Sequence, residues 1–342
     1  MPFNIVRNDI TKIKVDAIVN ATNTDLKMGG GVSGAIFKVA GSKDLQEFCD
    51  KLAPIKTGQA VITPGFNLPA KFIIHAAGPV YGNWTEAESE QHLRNAYFNA
   101  LKLAVDNNLE TIAFPLISSG IFGFPKEAAI KVATSTINDF LLESEIDVTL
   151  VVYDSESFVI GDKLHGAIDS YIDDHYIESQ GYDRRNLEIV SNLQEEFARV
   201  IAPIAKRSRE ELDAYPMEMP LPLEDIIGSL DEPFSDMLLR LIDKKGLLDV
   251  TVYKQANLSR KLFSKIRSSK GYMPSKRTAI ALAIALKLSL PETEAFLKRA
   301  GFALSHAVKF DVIIEYFIVN EKYDIFEINE VLFKYDQPLL GG

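Results

Sequence analysis

Asparagine, serine and glycine, rather than the usual acids and bases, form the chemistry-bearing stretches of this chain. The first runs from Asn20 to Gly41, NATNTDLKMGGGVSGAIFKVAG. An apolar strand, Val15 to Asn20, gives way to a polar loop that ends in Gly29, Gly30 and Gly31, and a short helix follows from Val32 to Ala40. That order sets bare amides and the positive end of a helix dipole at the carboxyl edge of a sheet, where an anion such as phosphate is readily held. Glycines also let the backbone approach a ligand with no Cβ in the way. A plain tight turn would use the same glycines, so the run alone leaves both readings open. Asn20 and Asn23 beside it supply amide donors and acceptors, and a second loop of the same make-up comes later.

That second loop is Ser118-Ser119-Gly120-Ile121-Phe122-Gly123, between a strand at Thr111–Pro115 and a helix at Lys126–Leu142. Two amide-lined loops at one sheet edge suit a diphosphate better than a single phosphate. Phe122 offers an apolar wall for a sugar, or else plugs the core. Asp9, after the first strand, can accept from the amino group of a base, or cap a turn before Thr11. Tyr153, at the end of the last strand, can stack on a base or pack at the rim of the core. His75 lies inside the apolar run KFIIHA and reads as a satisfied core histidine. No His/Asp/Glu cluster has metal-ligand spacing, so no metal is expected.

The elements that position these loops alternate strand and helix. Strands are expected at Phe3–Arg7, Ala17–Val19, 59–64, 71–76, 111–115 and 148–153, with amphipathic helices at 88–107 and 126–142, the pattern of an α/β layered domain. The whole chain has 342 residues, which implies more than one domain. Its 47% hydrophobic and 25% charged content is that of a folded globular protein, not a disordered one. Cys49 is the only cysteine, which excludes intrachain disulfides and points to a reducing, cytoplasmic setting. No run is apolar enough to span a bilayer, and MPFNIVRND does not read as a signal peptide.

Residues 1–178 form the first domain of this reading. Residues 179–233 hold an amphipathic helix at 183–205 and a Pro-rich, acidic linker that includes YPMEMPLP. Residues 234–342 are helical by pattern, with helices at 234–245, 248–256, 260–268, 276–288, 310–319 and 325–333 and one begun by Ser289-Leu290-Pro291-Glu292. The net charge of −10 argues against a surface that coats nucleic acid as a whole. Yet Lys254 to Arg277 carries eight basic residues and no acidic one.

Several stretches resemble the macrodomain family, the ADP-ribose-binding fold: NDITK (Asn8–Lys12), VDAIVNATN (Val15–Asn23), GGGVSGAIFKVAG, TGQAVITPGFNLPAKFIIHAAGP (Thr57–Pro79) and FPLISSGIFGFPKEAA (Phe114–Ala129). The resemblance covers residues 1–160 in order, and is nearest the MacroD-like branch. It implies an α/β three-layer macrodomain, a mixed sheet flanked by helices, followed here by a C-terminal all-α domain. It further implies that Asp9 and Ile10 meet adenine with Tyr153 near it. Gly29, Gly30, Gly31 and Val32 would wrap the diphosphate together with Ser118, Ser119, Gly120, Ile121 and Phe122. Asn20 and Ala21 would border the distal ribose and its loop, and Asn23 would bond that ribose near its anomeric carbon. The partner would be ADP-ribose or an ADP-ribosylated protein, with no cofactor. Members of that branch often hydrolyse mono-ADP-ribosyl groups from acidic side chains or from O-acetyl-ADP-ribose. They usually carry an aspartate directly after the Gly-Gly-Gly-Val run; here that residue is Ser33, a poor general base. Asn23 and Ser33 are therefore the catalytic candidates, in a site whose substrate diphosphate and bound water would share the work.

The pattern AN-L-S-x-x-x-x-S-K-I-R followed by P-S-K-R-T resembles Cro- and Xre-type helix-turn-helix domains. It implies that Arg260, Lys261, Lys265 and Arg267 face duplex DNA, with Arg267 and Lys270 near phosphate. A solvated basic face, or a docking surface for an acidic protein, uses the same residues.

Overall fold

The computed structural model describes residues 2–152, 162–175, 232–269 and 271–341. Tyr153, Lys270 and the expected 183–205 helix and linker lie outside them. Six strands form one sheet: β1 (Phe3–Arg7), β2 (Ala17–Thr22), β3 (Ala60–Pro64), β4 (Phe72–Ala77), β5 (Thr111–Pro115) and β6 (Asp147–Val152). Their spatial order is β1-β6-β5-β2-β4-β3. All neighbours are parallel except β3 and β4.

Strand alternation sends successive side chains to opposite faces, and both faces are covered. Ala17, Val19, Ile74, Ile112, Phe114 and Leu150 pack against α3 (Glu86–Asp106) and α4 (Lys126–Glu143). Ile18, Ile73, Ala113 and Val151 face α1 (Gly31–Ala40) and α2 (Ser42–Leu52). The result is the expected three-layer α/β arrangement. Each fully buried Leu, Ile or Phe in these layers contributes about 1.5–3 kcal/mol.

Helix α2 is an element that the sequence reading passed over. Its apolar stripe is only Leu45, Cys49 and Leu52, one side chain per turn, diluted by SKD, QE and DK. α3 starts on a capping box, in which Thr85 Oγ1 accepts from Glu88 N and Glu88 accepts from Thr85 N.

A second, all-helical unit contains α5 (Asp162–His175), α6 (Phe234–Lys245), α7 (Asp249–Gln255), α8 (Arg260–Ser268), α9 (Lys276–Ala285), α10 (Leu290–Arg299), α11 (Lys309–Val319) and α12 (Ile325–Lys334). Helix α5 precedes the middle stretch in sequence, but its Ile168 and Ile172 join the core of this unit. Ser259 and Ser275 cap α8 and α9 by accepting from Leu262 N and Thr278 N, as their sequence positions predict. Gly246 ends α6 in the left-handed region at φ 61°.

The two units meet along β1. Phe3 N donates to Asn257 Oδ1 at 2.6 Å, and Asn257 Nδ2 donates to Phe3 O at 2.8 Å. Phe3 and Phe326 lie 5.9 Å apart, and Arg7 sits 5.7 Å over the Phe333 ring. No helix among the described residues is long and apolar enough to cross a membrane.

Candidate functional site

At the carboxyl ends of β2 and β5 a cavity of about 340 Å³ opens between the first and second loops. Ala21, Thr22, Asn23, Gly29, Gly30, Gly31, Val32 and Ser33 line one wall. Gly78 and the stretch Pro115–Phe122 line the other. A second cavity of about 330 Å³ shares Gly31, Val32 and Pro115 with it and is lined further by Asn8, Asp9, Ile10, Ala35 and Val151. Together they make one elongated cleft, with two amide-rich loops at one end and Asp9 and Ile10 at the other.

The first turn of α1 leaves its amides without helical acceptors, and they border this cleft. The second loop is held by Gly123 N donating to Gly120 O (2.9 Å) and Phe124 N donating to Ser118 O (3.0 Å). Among the described residues, no acceptor meets the amides of Ser119, Gly120, Ile121 or Phe122. Ser118 adopts φ 63°, unusual for a residue with a side chain, and directs the chain back across the cleft. The turn passes so close to β4 that a Cβ on Gly78 would lie 2.2 Å from Ser118 Oγ. Among the described residues the hydroxyls of Thr22 and Ser118 are buried without a hydrogen-bond partner, and both residues border the same cavity.

The first loop is fastened from below by α2. Gln46 Nε2 donates to Leu26 O (3.2 Å), Gln46 Oε1 accepts from Met28 N (3.0 Å), and Lys27 Nζ pairs with Asp50 at 2.7 Å. Asn23 closes the loop on itself, donating to Lys27 O at 3.0 Å and accepting from Lys27 N at 3.1 Å. One N–H and one lone pair of its amide remain for a ligand. Ser33 Oγ is buried and accepts weakly from Gly29 N at 3.4 Å, so it braces the glycine turn. Gln46, Asp50, Thr22 and Gly78 are site residues that sequence reasoning missed; the first two come from the unrecognised helix.

Asn20 does not open on the cleft. It is fully buried on the α1–α2 face and donates from Nδ2 to His75 Nδ1 at 3.0 Å. The imidazole Nε2–H then donates to Thr63 Oγ1 at 2.9 Å. Burial pushes His75 down to about 4, so the ring is neutral and serves the core, as its place in KFIIHA suggests. Burial likewise pushes the Cys49 thiol up to about 11, which removes it as a nucleophile. Asp9 uses Oδ1 as a turn cap, accepting from Thr11 N (3.0 Å) and Thr11 Oγ1 (2.7 Å), while its residue still borders the cleft. The hydroxyl of Thr11 is the main reason its carboxyl stays below the usual range. Among the described residues no group of His, Cys, Asp and Glu is placed to hold a metal ion.

In the helical unit a turn with Asn257 at φ 53° joins α7 to α8. Several basic residues of the run around it have partners within the chain. Lys254 donates to Leu142 O, Lys276 pairs with the buried Asp311, and Arg277 reaches Leu339 O. Arg267 pairs with Asp249, and Lys265 stands 5.3 Å over the Tyr272 ring. Arg260 and Lys261 project into solvent from the first turn of α8. On α8 itself Arg260, Lys261, Lys265 and Arg267 are all exposed, while Lys254, Lys276 and Arg277 of the same run have intramolecular partners.

The model of the Macro domain family matches residues 19–133. An O-acetyl-ADP-ribose deacetylase of Escherichia fergusonii is 43% identical over 170 residues, spanning 47% of this chain and 94% of that protein. The ADP-ribose glycohydrolase MACROD2 of Xenopus laevis is 44% identical over 147 residues, 43% of this chain but only 35% of its own length. A solved Oceanobacillus iheyensis macrodomain with ADP is 39% identical, covering 48% of this chain and 92% of that one, with a TM-score of 0.44. With 94% of the deacetylase matched at 43% identity, this chain belongs to the Macro domain family.

Proposed function

We propose that the cleft binds ADP-ribose and that the protein removes mono-ADP-ribosyl groups from acyl linkages, on protein carboxylates or in O-acetyl-ADP-ribose. The observation that carries this reading is the lining itself. The end of the cleft between the loops has unpaired amides and hydroxyls but no acidic, basic or thiol side chain. Such a wall holds a diphosphate and orients a ribose, yet it cannot protonate a leaving group. A carboxylate, with a conjugate-acid pKa of about 4, departs without a proton, whereas an alkoxide would require a general acid. In the proposed step on an anomeric acyl linkage, water attacks the anomeric carbon of the ribose, its bond to the acyl oxygen breaks with the carboxylate leaving, and the water proton passes to a diphosphate oxygen of the substrate. Asn23 positions the ribose and Ser33 keeps the glycine turn in shape. The relatives named deacetylase and glycohydrolase support the reaction class.

Turnover of a mono-ADP-ribosylated carboxylate tests the reading directly. Ser33→Asp supplies a carboxylate where the chain has a hydroxyl. It should raise the hydrolysis rate while leaving ADP-ribose affinity within a few-fold. Binding without turnover in both proteins would leave a reader module rather than an enzyme.

A second reading is an ADP-ribose sensor that acts through the helical unit as a transcriptional regulator. It is supported by the α7–turn–α8 geometry and by Arg260 and Lys261, which point outward from the start of α8. Retention on duplex DNA, with and without ADP-ribose, separates it from the first.

A further inference from the structure

Helix α12 meets the sheet domain with Phe326, Glu330 and Phe333, spaced i, i+4 and i+7 and therefore on one face. Phe326 and Phe333 pack on the apolar cluster beneath α3 and α4. Between them, where a leucine would complete the seam, stands a carboxyl group. It borders a cavity of about 470 Å³ lined by residues of α3, α4 and α12 together with Tyr81 and Phe124.

Among the described residues, charged groups on that cavity come from all three helices. From α3 come Glu86 and the pair Glu90–Arg94 at 3.0 Å. Helix α4 supplies Lys131, already paired with Glu127 at 3.2 Å. From α12 and its cap come Glu327, 3.5 Å from Lys322, and Asp324, whose Oδ1 caps the helix by accepting from Phe326 N. Each cation therefore has another carboxylate partner, and negative groups outnumber positive ones around Glu330. Thr134 borders the same cavity from α4; its hydroxyl donates to Ile130 O at 2.9 Å, and its contact with Glu330 acts to lower that carboxyl, against the larger effect of burial.

We propose that the seam between the sheet domain and the helical unit is a proton-operated latch, closed when Glu330 carries a proton and loosened when it does not. Removal from water, with Asp324 and Glu327 adding to the effect, pushes the Glu330 carboxyl up to about 7 from 4.5. A raised docked-state value means the seam holds more protons than the separated units between those two limits. Docking is therefore favoured at low pH and weakens as pH rises through about 7. Between pH 5.5 and 8 the docking equilibrium should fall about 30-fold, from the two values above.

The amide of Phe3 reports on the seam, because its hydrogen bond crosses it to Asn257. Hydrogen exchange of that amide is followed by NMR on the full chain from pH 5.5 to 8, corrected for intrinsic exchange. Wild type should lose protection about 30-fold, while Glu330→Gln and Glu330→Leu should show a flat profile. Each variant is an independent arm should the other fail to fold. A flat profile in wild type overturns the latch, and so does an equal slope in either variant. Neither result depends on what the cleft binds.

Discussion

Gly120 is the residue at which binding can be tested without disturbing the fold. A Cβ placed there meets nothing within 4 Å. Gly120→Glu should therefore leave the melting temperature nearly unchanged, while its carboxylate occupies the space of the diphosphate. ADP-ribose affinity, expected at about micromolar or roughly −8 kcal/mol, should disappear in calorimetry. Unchanged affinity would refute the two-loop site. His75 gives the acid limb of stability. Its value near 4 lies below the unfolded value of 6.5, so its contribution is complete above pH 6.5 and is lost as pH falls through 4. The loss amounts to about 3 kcal/mol, and a denaturant midpoint that does not move between pH 6.5 and 4 would contradict it. At this scale the glycine and serine loops were legible because their residue types have few other uses at strand ends. The side chain of Asn20 was not: its position beside the loop suggested a ligand, but its register partner is His75 in the adjacent strand.

The elements divide by how strongly their apolar pattern repeats. All six strands, and the helices capped by Ser259, Ser275 and Ser289, could be read to within a few residues, since each has a cap or a dense apolar run. Helix α2 escaped notice because a single buried side chain per turn covers it, yet through Gln46 and Asp50 it fixes the first loop. Helix α5 packs with elements far from it in sequence, which no local pattern announces. A sharper test concerns the junction of α9 and α11. Asp311 is almost completely buried, with Oδ2 held by Lys276 at 2.5 Å and by Ser305 N at 3.0 Å. Lys276→Met leaves that carboxylate uncompensated and should cost about 3–5 kcal/mol in denaturant unfolding of the helical unit. A change below about 1 kcal/mol would mean that water already reaches the pair.

For the whole molecule, charge is the property that composition described least well. A net charge of −10 coexists with a local basic run, but folding assigns Lys254, Lys276 and Arg277 to internal contacts. Nucleic-acid retention, if it occurs, then rests on Arg260 and Lys261 with Lys265 and Arg267 beside them. Its salt dependence should correspond to about two to four neutralised phosphates, not eight. Arg260→Ala/Lys261→Ala/Arg267→Ala should abolish retention in an electrophoretic shift and leave ADP-ribose binding intact. Retention equal to wild type would remove the groove-reading role from α8.

The side-chain amide of Asn257 does for Phe3 what a seventh strand would do: it offers one acceptor and one donor to the outer rim of the sheet. β1 is the terminal strand on that side, with Phe3 and Ile5 among its side chains. A fragment ending at residue 152 would leave this rim bare, a template onto which a second molecule can add its own strand. Cutting away the helical unit should thus convert a well-behaved chain into a self-associating one, with a scattering mass that grows with concentration. The helical unit is, in this sense, a built-in chaperone for the sheet it leans on.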